Sequence, residues 1–272
     1  MKIASLQPSV SIILDRLGCL DQLVACTRYC LAAVPALRGR SLVTVRDSWS
    51  TTAEELLAVR PEIVIASVPY RNESLAAILK AGVPVLALAP HSLRDIEQDI
   101  RLIAAIAAAE ARGEQIVAWM QSEIGAVRQQ TAGLRPRPLV YCEEWGKPLI
   151  HSQLWVQEMV EAAGGRFLGS AGSVTSPEAV AEADPEVVIA AWCGAGDRVP
   201  LDKIAGRSGW AAMRAVRQGR VYCIADELLN TPAPTLVDGL KALTEALHPQ
   251  TFGTSSPGTS GKIHRLNWNR SR

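Results

Sequence analysis

Residues 52–67 read TAEELLAVRPEIVIAS, and residues 176–191, which begin 124 positions later, read SPEAVAEADPEVVIAA. Each stretch opens with a hydroxyl residue suited to cap a helix, carries acids in the first turns, bends at a proline and ends in an apolar strand. An apolar strand directly after a helix indicates a parallel sheet covered on both faces. The repeat therefore predicts two related α/β lobes. Because helix–proline–strand units are common, independent origin of the two copies is the alternative.

The same alternation extends outward on both sides of these stretches. Apolar strand-like runs separated by helical patterns occur at KIASL (2–6), QLVAC (22–26), SLVTV (41–45), VPVLAL (83–88), PLVYC (138–142) and RVYCI (220–224). Residues 92–132 are helical almost throughout, with Ser92 as the expected N-cap and Gly113 as an expected break. The pattern predicts an α/β fold of two Rossmann-like lobes joined by one long helix.

We therefore predict four segments. Residues 1–110 form an N-terminal α/β lobe, residues 111–133 a connecting helix, and residues 134–249 a C-terminal α/β lobe. Residues 250–272, which include FGTSSPGTSGK, are rich in Gly, Ser, Thr and Pro and are predicted to be a disordered tail.

Composition excludes several classes of function. The chain has 28 basic and 27 acidic residues, so no overall field attracts it to nucleic acid or to an anionic membrane. No apolar run is long enough to span a bilayer, which predicts no membrane insertion. The N-terminus MKIASLQPS lacks the features of a signal peptide, so the chain as written is expected in the cytoplasm, or in the periplasm if a leader precedes it. The six cysteines contain no CxxC pair, which favours free thiols.

Aromatic residues are concentrated just after predicted strands. Only 5% of the chain is aromatic, yet five such residues lie at these positions: Tyr29, Trp49, Tyr70, Trp145 and Trp192. Ligands of open parallel sheets bind beyond the carboxyl ends of the strands, where such rings supply rigid contact area. Any single tryptophan is as well explained by core packing, but five together indicate a binding pocket.

The segment CEEWGKPLIHSQLW (142–155) raises the question of chemistry. Glu143 and Glu144 are neighbours on an extended segment and point to opposite sides, which argues against two-carboxylate catalysis. His151 has no second ligand at metal-binding spacing, so a surface or capping role is expected. The chain contains no phosphate-binding loop and no serine-hydrolase elbow.

Longer stretches of the chain resemble a known family. IASLQPSVSIILDRLGCLDQLVACT, RPEIVIAS, GVPVLAL, DPEVVIAA, GRVYCIAD and TPAPTLVDGLKALTEALHP follow in order the strands and closing helix of the cobalamin and iron-siderophore group of ABC-importer substrate-binding proteins. CEEWGKPLIHSQLWVQEMVEAAGG and AAWCGAG resemble its cobalamin-binding branch. The resemblance covers nearly all of residues 1–250.

The resemblance implies a ligand held between two lobes and a glutamate on each lobe that docks to a membrane permease. Glu73 lies where the first docking glutamate is expected. Residues 206–213 contain no second one, and Asp197 or Asp202 is the expected substitute. A possible ABC permease is therefore the implied partner.

The combined expectation is non-catalytic binding of a corrinoid, with no cofactor required. The predicted ligand-binding residues are Tyr29, Cys30, Trp49, Tyr70, Glu144, Trp145, Trp192 and Cys193. One alternative is a ferric siderophore or haem, for which Arg28, Arg46 and Arg71 would matter more than the tryptophans. The alternative from another class is an enzyme with a metal cluster on a nitrogenase-like fold, coordinated by Cys30, Cys142 and Cys193.

Overall fold

The computed structural model describes residues 1–253 and 263–266. The chain forms two compact units, Met1–Met120 with Pro232–Pro234, and Gln121–Thr231 with the residues from Thr235 onward. The boundary between the units lies inside a long helix, Glu110–Thr131, which occupies most of the predicted 111–133.

The first unit is a parallel five-stranded sheet covered by helices. Its strands are β1 (Ile3–Ser5), β2 (Leu23–Thr27), β3 (Val43–Val45), β4 (Ile63–Ser67) and β5 (Val85–Leu88), in the order β3-β2-β1-β4-β5. Its helices are α1 (Pro8–Leu17), α2 (Arg28–Ala33), α3 (Ala53–Val59), α4 (Asn72–Lys80) and α5 (Leu93–Ile106), with α6 (Glu110–Thr131) continuing into the second unit. Short 3-10 turns lie at Leu20–Gln22 and Pro35–Leu37. All neighbouring strands of this sheet are parallel, as their apolar sequences predict.

Ser92 caps α5 as predicted. Its hydroxyl accepts a hydrogen bond from the Asp95 backbone N–H, and the Asp95 carboxylate accepts one from the Ser92 N–H. The expected break at Gly113 is wrong, because the helical run is interrupted earlier: α5 ends at Ile106, Ala108 has a φ of +52°, and α6 begins at Glu110. Gly113 instead lets α6 approach α5, since a side chain there would overlap Ala104.

The second unit is a mixed seven-stranded sheet. Its strands are β6 (Leu139–Gly146), β7 (Leu149–His151), β8 (Arg166–Phe167), β9 (Val174–Thr175), β10 (Val187–Ala190), β11 (Val221–Ile224) and β12 (Ile263–Arg265). The main order is β12-β11-β10-β6-β7-β9, with β8 alongside β6. Strands β6, β10 and β11 run parallel, whereas β7, β9 and β12 pair antiparallel to their neighbours.

The helices of the second unit pack on both faces of that sheet. They are α7 (Leu154–Ala162), α8 (Pro177–Ala183), α9 (Leu201–Ala205), α10 (Arg214–Arg217), α11 (Asp226–Leu229), α12 (Leu236–Leu247) and α13 (Pro249–Phe252), with a 3-10 turn at Trp210–Ala212. One core cluster joins Tyr141 and Val188 of the sheet to Trp210, each of them buried completely. Trp155 of α7 is also buried, as predicted, and donates to the Leu229 carbonyl at 2.7 Å.

The predicted disordered tail needs a correction. Residues 249–252 form a short helix, and residues 263–265 form β12, whose backbone pairs with β11 and thereby covers an edge of the sheet. The remainder of the predicted tail, residues 254–262 and 267–272, lies outside the described residues.

The two repeated stretches have matching structures. The helices α3 and α8 both end at a non-glycine residue in the left-handed region, Arg60 with φ 51° and Asp184 with φ 46°. The glutamate two positions later plays the same role in both copies: Glu62 accepts a hydrogen bond from the Lys2 backbone N–H, and Glu186 accepts one from the Leu139 N–H. The repeat therefore extends from sequence to backbone conformation and to the hydrogen bonds between neighbouring strands.

Candidate functional site

The carboxyl ends of the strands in the first unit expose three aromatic rings. Tyr29 is the second residue of α2, which follows β2 directly, Trp49 lies in the loop after β3, and Tyr70 lies in the loop after β4. Tyr29 is 39% exposed and Trp49 is 55% exposed, while Tyr70 is partly buried against the core. These rings lie where the sequence analysis places them, and at least two of them are free to contact a ligand.

Gln7 organises the loops that carry these rings. Its side-chain amide donates hydrogen bonds of 2.8 Å to the Ser48 hydroxyl and to the Pro69 carbonyl, and Ser48 itself donates to Pro69 at 2.9 Å. Gln7 follows β1, and its two partners lie in the loops after β3 and β4, so one side chain links three strand ends. The Asp47 carboxylate in turn accepts from the backbone N–H groups of Trp49 and Ser50, which fixes the Trp49 loop.

The predicted role of Cys30 in ligand binding needs a correction. Its side chain is completely buried, because Thr27 caps α2 and turns the Cys30 thiol inward, where its sulfur lies 3.2 Å from the Thr27 hydroxyl. A side chain without exposed surface is unsuited to the predicted ligand contact, so Cys30 belongs to the core of the first unit.

The three arginines at this end of the first unit are already engaged. Arg28 donates to the Tyr29 hydroxyl at 2.8 Å and lies over its ring, at 4.8 Å from the centroid. Arg46 forms an ion pair with Glu55 at 2.8 Å, and Arg71 lies 3.8 Å from Glu73. These contacts matter for the charge of any ligand bound at this surface.

In the second unit, a β-bulge separates the two adjacent glutamates. In the pairing of β6 with β7, Glu143 lies opposite His151 and Trp145 lies opposite Ile150, so Glu144 is the extra residue. Because His151 and Ile150 are neighbours on β7, they face opposite sides of the sheet. The bulge therefore directs Glu143 into the core and Trp145 onto the other face.

Glu143 is a structural carboxylate. It is completely buried and accepts two hydrogen bonds from the Arg207 guanidinium, at 2.6 and 2.9 Å, and a third of 2.8 Å from Trp192 Nε1. The two glutamates therefore have different partners: Glu143 is paired with an arginine in the core, whereas Glu144 accepts a hydrogen bond from Gln153.

Trp145 is exposed beside other apolar side chains. It is 44% exposed, and its paired neighbours across β7 and β9 are Ile150 and Val174, the latter 66% exposed. Residues paired directly across neighbouring strands share a face. The row Trp145–Ile150–Val174, which we call the apolar row, therefore forms one apolar strip next to the carboxyl end of β6.

Glu144 and Cys193 form a polar group beside this row. The Gln153 amide donates to Glu144 at 2.7 Å, and the Cys193 thiol lies 3.6 Å from the other Glu144 oxygen. Burial raises the pKa of the Glu144 carboxyl. Desolvation, followed by the charges of Glu144 and Asp226, raises the pKa of the Cys193 thiol. Both groups are therefore biased toward their neutral forms.

The loop after β10 that carries Cys193 is fixed by two polar residues. The Asp226 carboxylate accepts hydrogen bonds from the backbone N–H groups of Gly194, at 2.6 Å, and Gly196, at 3.0 Å. The Asn230 amide donates to the Ala191 carbonyl and lies 3.7 Å from the Cys193 sulfur, while the Asn230 side-chain oxygen is buried without a partner in the described part of the chain.

His151 is a core residue rather than a surface or capping one. It is buried, and its ring meets the Tyr141 ring edge-on at 5.3 Å between centroids. The alternative of a metal cluster bound by cysteines is not supported either. Two of its three expected ligands, Cys30 and Cys142, are completely buried. Within residues 1–253 and 263–266, no three or more His, Cys, Asp or Glu side chains are grouped to hold a metal ion. None of the helices in those ranges combines the length and hydropathy needed to cross a bilayer.

Comparison with known proteins now identifies the family. The family model described as periplasmic binding protein matches residues 3–228, which is most of the chain. The chain belongs to the periplasmic binding protein family. Its function is therefore that of a binding protein, and the family resemblance inferred from the sequence is confirmed.

Three similar proteins illustrate the range of this family. YvrC of Bacillus subtilis (strain 168), an uncharacterized ABC transporter substrate-binding lipoprotein, is 26% identical over 92% of this chain and 81% of its own. A cobalamin-binding protein of Halobacterium salinarum is 23% identical over 92% of this chain and 70% of its own. The apo structure of the periplasmic haem-binding protein RhuT from Roseiflexus sp. RS-1 is 28% identical, with a TM-score of 0.79 over 91% of this chain and 97% of that one.

This periplasmic binding protein also contains site residues that the sequence analysis missed. Gln7, Gln153, Arg207, Asp226 and Asn230 hold the loops or side chains described above. Only Arg207 had a signal in the sequence, because two adjacent glutamates on one strand imply that the inward one needs a buried cation. The partner's position along the chain carries no such signal.

Proposed function

We propose that the ligand is a corrinoid or a similar large planar molecule with largely uncharged substituents. The observation that carries this proposal is the combination of exposed rings with few free charges at the carboxyl ends of the strands. Trp49 and Tyr29 in the first unit and Trp145 in the second supply flat apolar surface. Stacking of this kind contributes about 1 kcal/mol per ring beyond the burial of apolar area.

The charges at these strand ends favour an uncharged ligand over an anionic chelate. Arg46 and Arg71 already have acidic neighbours, and the acid at the end of β6, Glu144, would repel carboxylates if ionised. The Glu144 oxygens are instead suited to accept hydrogen bonds from neutral amides, as one of them does from Gln153. Amide side chains decorate a corrinoid ring, whereas haem carries two carboxylates.

Haem is the second candidate. The specific observation in its favour is the 28% identity to the haem-binding protein RhuT, against 23% to the cobalamin-binding protein of Halobacterium salinarum. The same aromatic surface suits a porphyrin. The two candidates differ in the charge at the edge of the macrocycle, so a direct comparison of ligands separates them.

For the partner, we propose an ABC permease that Glu73 contacts outside the cytoplasm. Glu73 lies in the first turn of α4 with 78% of its side chain exposed, and its nearest cation, on Arg71, is 3.8 Å away. The named relatives are a lipoprotein and a periplasmic protein, which supports an extracytoplasmic location. In the second unit, Asp197 is less suited as a counterpart because His264 lies 3.1 Å from its carboxylate, which leaves Asp202 in the first turn of α9.

Titration of the purified chain tests the ligand. Cyanocobalamin, dicyanocobinamide and haemin are added separately, and binding is followed by absorbance and by quenching of tryptophan fluorescence. We expect micromolar or tighter binding of both corrinoids and at least about tenfold weaker binding of haemin. Tighter binding of haemin would select the second candidate, and no binding of any of the three would contradict the macrocycle proposal.

Two variants localise the binding. Trp145→Ala is expected to weaken corrinoid binding by about tenfold or more, because it removes the exposed indole of the apolar row. Trp119→Phe is the control, because Trp119 lies on α6 and packs against Arg16 instead of following a strand. Equal affinities of both variants and the unmodified chain would exclude Trp145 from the site.

A further inference from the structure

A continuous set of contacts joins the core of the second unit to the β6–β7 hairpin. Arg207 binds the buried Glu143 carboxylate through both terminal nitrogens, and that carboxylate accepts the hydrogen bond of Trp192 Nε1 at 2.8 Å. The edge of the Trp192 ring next to Nε1, formed by Cε2, Cζ2 and Cη2, lies against Gly146, the last residue of β6. Trp192 therefore spans the end of β6 from Glu143 to Gly146.

The starting point of this set is rigid. Arg207 is mostly buried, and its guanidinium stacks on the Trp210 ring at 4.6 Å from the centroid. A completely buried carboxylate is stable only when it is paired and hydrogen-bonded, and Glu143 has three such bonds from two residues. The orientation of the Trp192 indole is thus set by the Glu143 carboxylate, which Arg207 holds in place with two hydrogen bonds.

Gly146 is required for lack of space and not for backbone conformation, because its φ is not in the left-handed region. A Cβ atom on residue 146 would lie 2.9 Å from Trp192 Cη2 and closer still to Cζ2. Gly146 pairs with the buried Leu149, whereas the preceding pair, Trp145 and Ile150, faces the other side of the sheet. The Trp192 ring therefore supports the hairpin from the core side, directly behind the exposed Trp145.

We infer that Trp192 is a positioning residue which, held by Arg207 and Glu143, sets the orientation of the hairpin that presents Trp145. The position of Trp192 after β10 predicts that it contacts the ligand. The structure instead assigns it to packing behind Trp145, against Glu143 and Gly146. The inference rests on the proposed function for the role of Trp145. A rigid ring on a supported hairpin loses little entropy on binding, which favours a rigid planar ligand.

The test uses the full chain labelled with 5-fluorotryptophan and observed by ¹⁹F NMR without ligand. The Trp145 resonance is assigned from its loss in Trp145→Phe. Trp192→Phe removes the hydrogen bond to Glu143, and Gly146→Ala forces the ring and the hairpin apart. We expect both changes to shift or broaden the Trp145 resonance and to weaken cyanocobalamin binding by about tenfold.

Gly165→Ala is the matched control. Gly165 is equally crowded, since a Cβ atom there would lie 2.6 Å from Leu247 and 2.9 Å from Val160, but it lies at the start of β8. Its replacement is expected to lower the melting temperature while leaving the Trp145 resonance and cyanocobalamin binding unchanged. If Gly146→Ala does not fold, Arg207→Lys, which keeps the charge but loses the two-point contact, takes its place.

The outcomes separate this inference from the proposed function. An unchanged Trp145 resonance in the folded Trp192→Phe and Gly146→Ala variants would overturn the positioning role, even if the unmodified chain binds cyanocobalamin. A shifted resonance in a chain that binds no macrocycle would support the positioning role and overturn the corrinoid proposal.

Discussion

At the scale of single residues, the environment of Cys193 departs most from what the sequence suggests. It is exposed, while the other five cysteines, at positions 19, 26, 30, 142 and 223, are buried. Desolvation, followed by the charges of Glu144 and Asp226, disfavours a thiolate at this residue and raises the pKa of the Cys193 thiol. Cys193 is therefore exposed but expected to react slowly, because the thiolate is the reactive form of a cysteine.

Thiol labelling of the native chain tests this environment. We expect one cysteine to react with a thiol reagent at neutral pH, more slowly than a free thiol, and all six to react after unfolding. Glu144→Gln removes the nearest negative charge, lowers the thiol pKa and should accelerate labelling by about tenfold.

Asp197→Asn is the control for this labelling experiment. It removes an acid from the same loop that does not contribute to the pKa shift of Cys193, and we expect no change in rate. Rapid labelling of several native thiols, or equal rates in Glu144→Gln and the unmodified chain, would contradict the assigned environment.

The sequence predicted the positions of the exposed tryptophans but not the partners of the buried polar side chains. The exposed Trp49 was found because it follows β3, and the exposed Trp145 because it follows the predicted strand 138–142, although β6 itself continues through Trp145 to Gly146. The burial of Cys30 and His151 depends on how a cap and a hairpin fold locally. The pairing of Glu143 with Arg207, 64 residues apart, depends on tertiary packing that no local pattern reports.

At the scale of secondary-structure elements, the repeat is the most informative feature. Helices α3 and α8 have the same ending, a left-handed residue followed by proline and glutamate, and both lead into a central strand of their sheet. The left-handed conformation costs an ordinary residue about 1 kcal/mol and is the usual place for glycine. The two copies differ in what the strained side chain does.

Replacing each of these two residues with glycine reveals that difference. Arg60→Gly relieves the left-handed strain without removing a side-chain hydrogen bond, and should stabilise the chain by roughly 0.5–1 kcal/mol. Asp184→Gly relieves the same strain but removes the acceptor of the Arg214 backbone N–H at the start of α10, and should destabilise the chain by about 1 kcal/mol. Chemical denaturation measures both changes, and effects of equal sign would show that the Asp184 contacts add nothing.

Most helices and the parallel strands other than β8 could be predicted, because their apolar periodicity is local. The two-residue β8, which pairs parallel to β6, was missed. The antiparallel β7, β9 and β12 were missed. They are two or three residues long, too short to display a period, and β12 lies in a polar segment whose composition resembles a disordered tail. Their existence depends on the edge of the sheet against which they pair.

At the scale of the whole molecule, the near balance of 28 basic and 27 acidic residues hides individual groups with unusual titration. Asp99 of α5 is 9% exposed, and burial, with a smaller contribution from the Asp95 charge, raises its pKa to about 7. In the unfolded chain this carboxyl has its ordinary pKa near 3.8. Folding therefore favours its protonated form.

This carboxyl should make stability depend on pH. Its contribution is fully present below about pH 4 and is lost as the pH rises to about 7, which amounts to roughly 4 kcal/mol. Asp99→Asn should therefore gain stability over the unmodified chain between pH 4 and pH 8, as measured by urea unfolding. Asp15→Asn, which removes an exposed acid of α1, is the control. Parallel curves for Asp99→Asn and the unmodified chain would exclude the effect.

The bulge at Glu144 has a consequence for how this protein can change over evolutionary time. Before Glu144, alternate side chains of β6 face the core, so the effect of a substitution there depends on how well the new side chain packs. After Glu144 the alternation of inward and outward side chains is inverted, so the effect of a substitution at Trp145 depends on what its exposed indole contacts. A single inserted residue thus divides one strand into a packed framework and an exposed tip, so that substitutions at the tip can alter ligand contacts while the sheet stays intact. Deletion of Glu144 would merge the two and turn the indole inward.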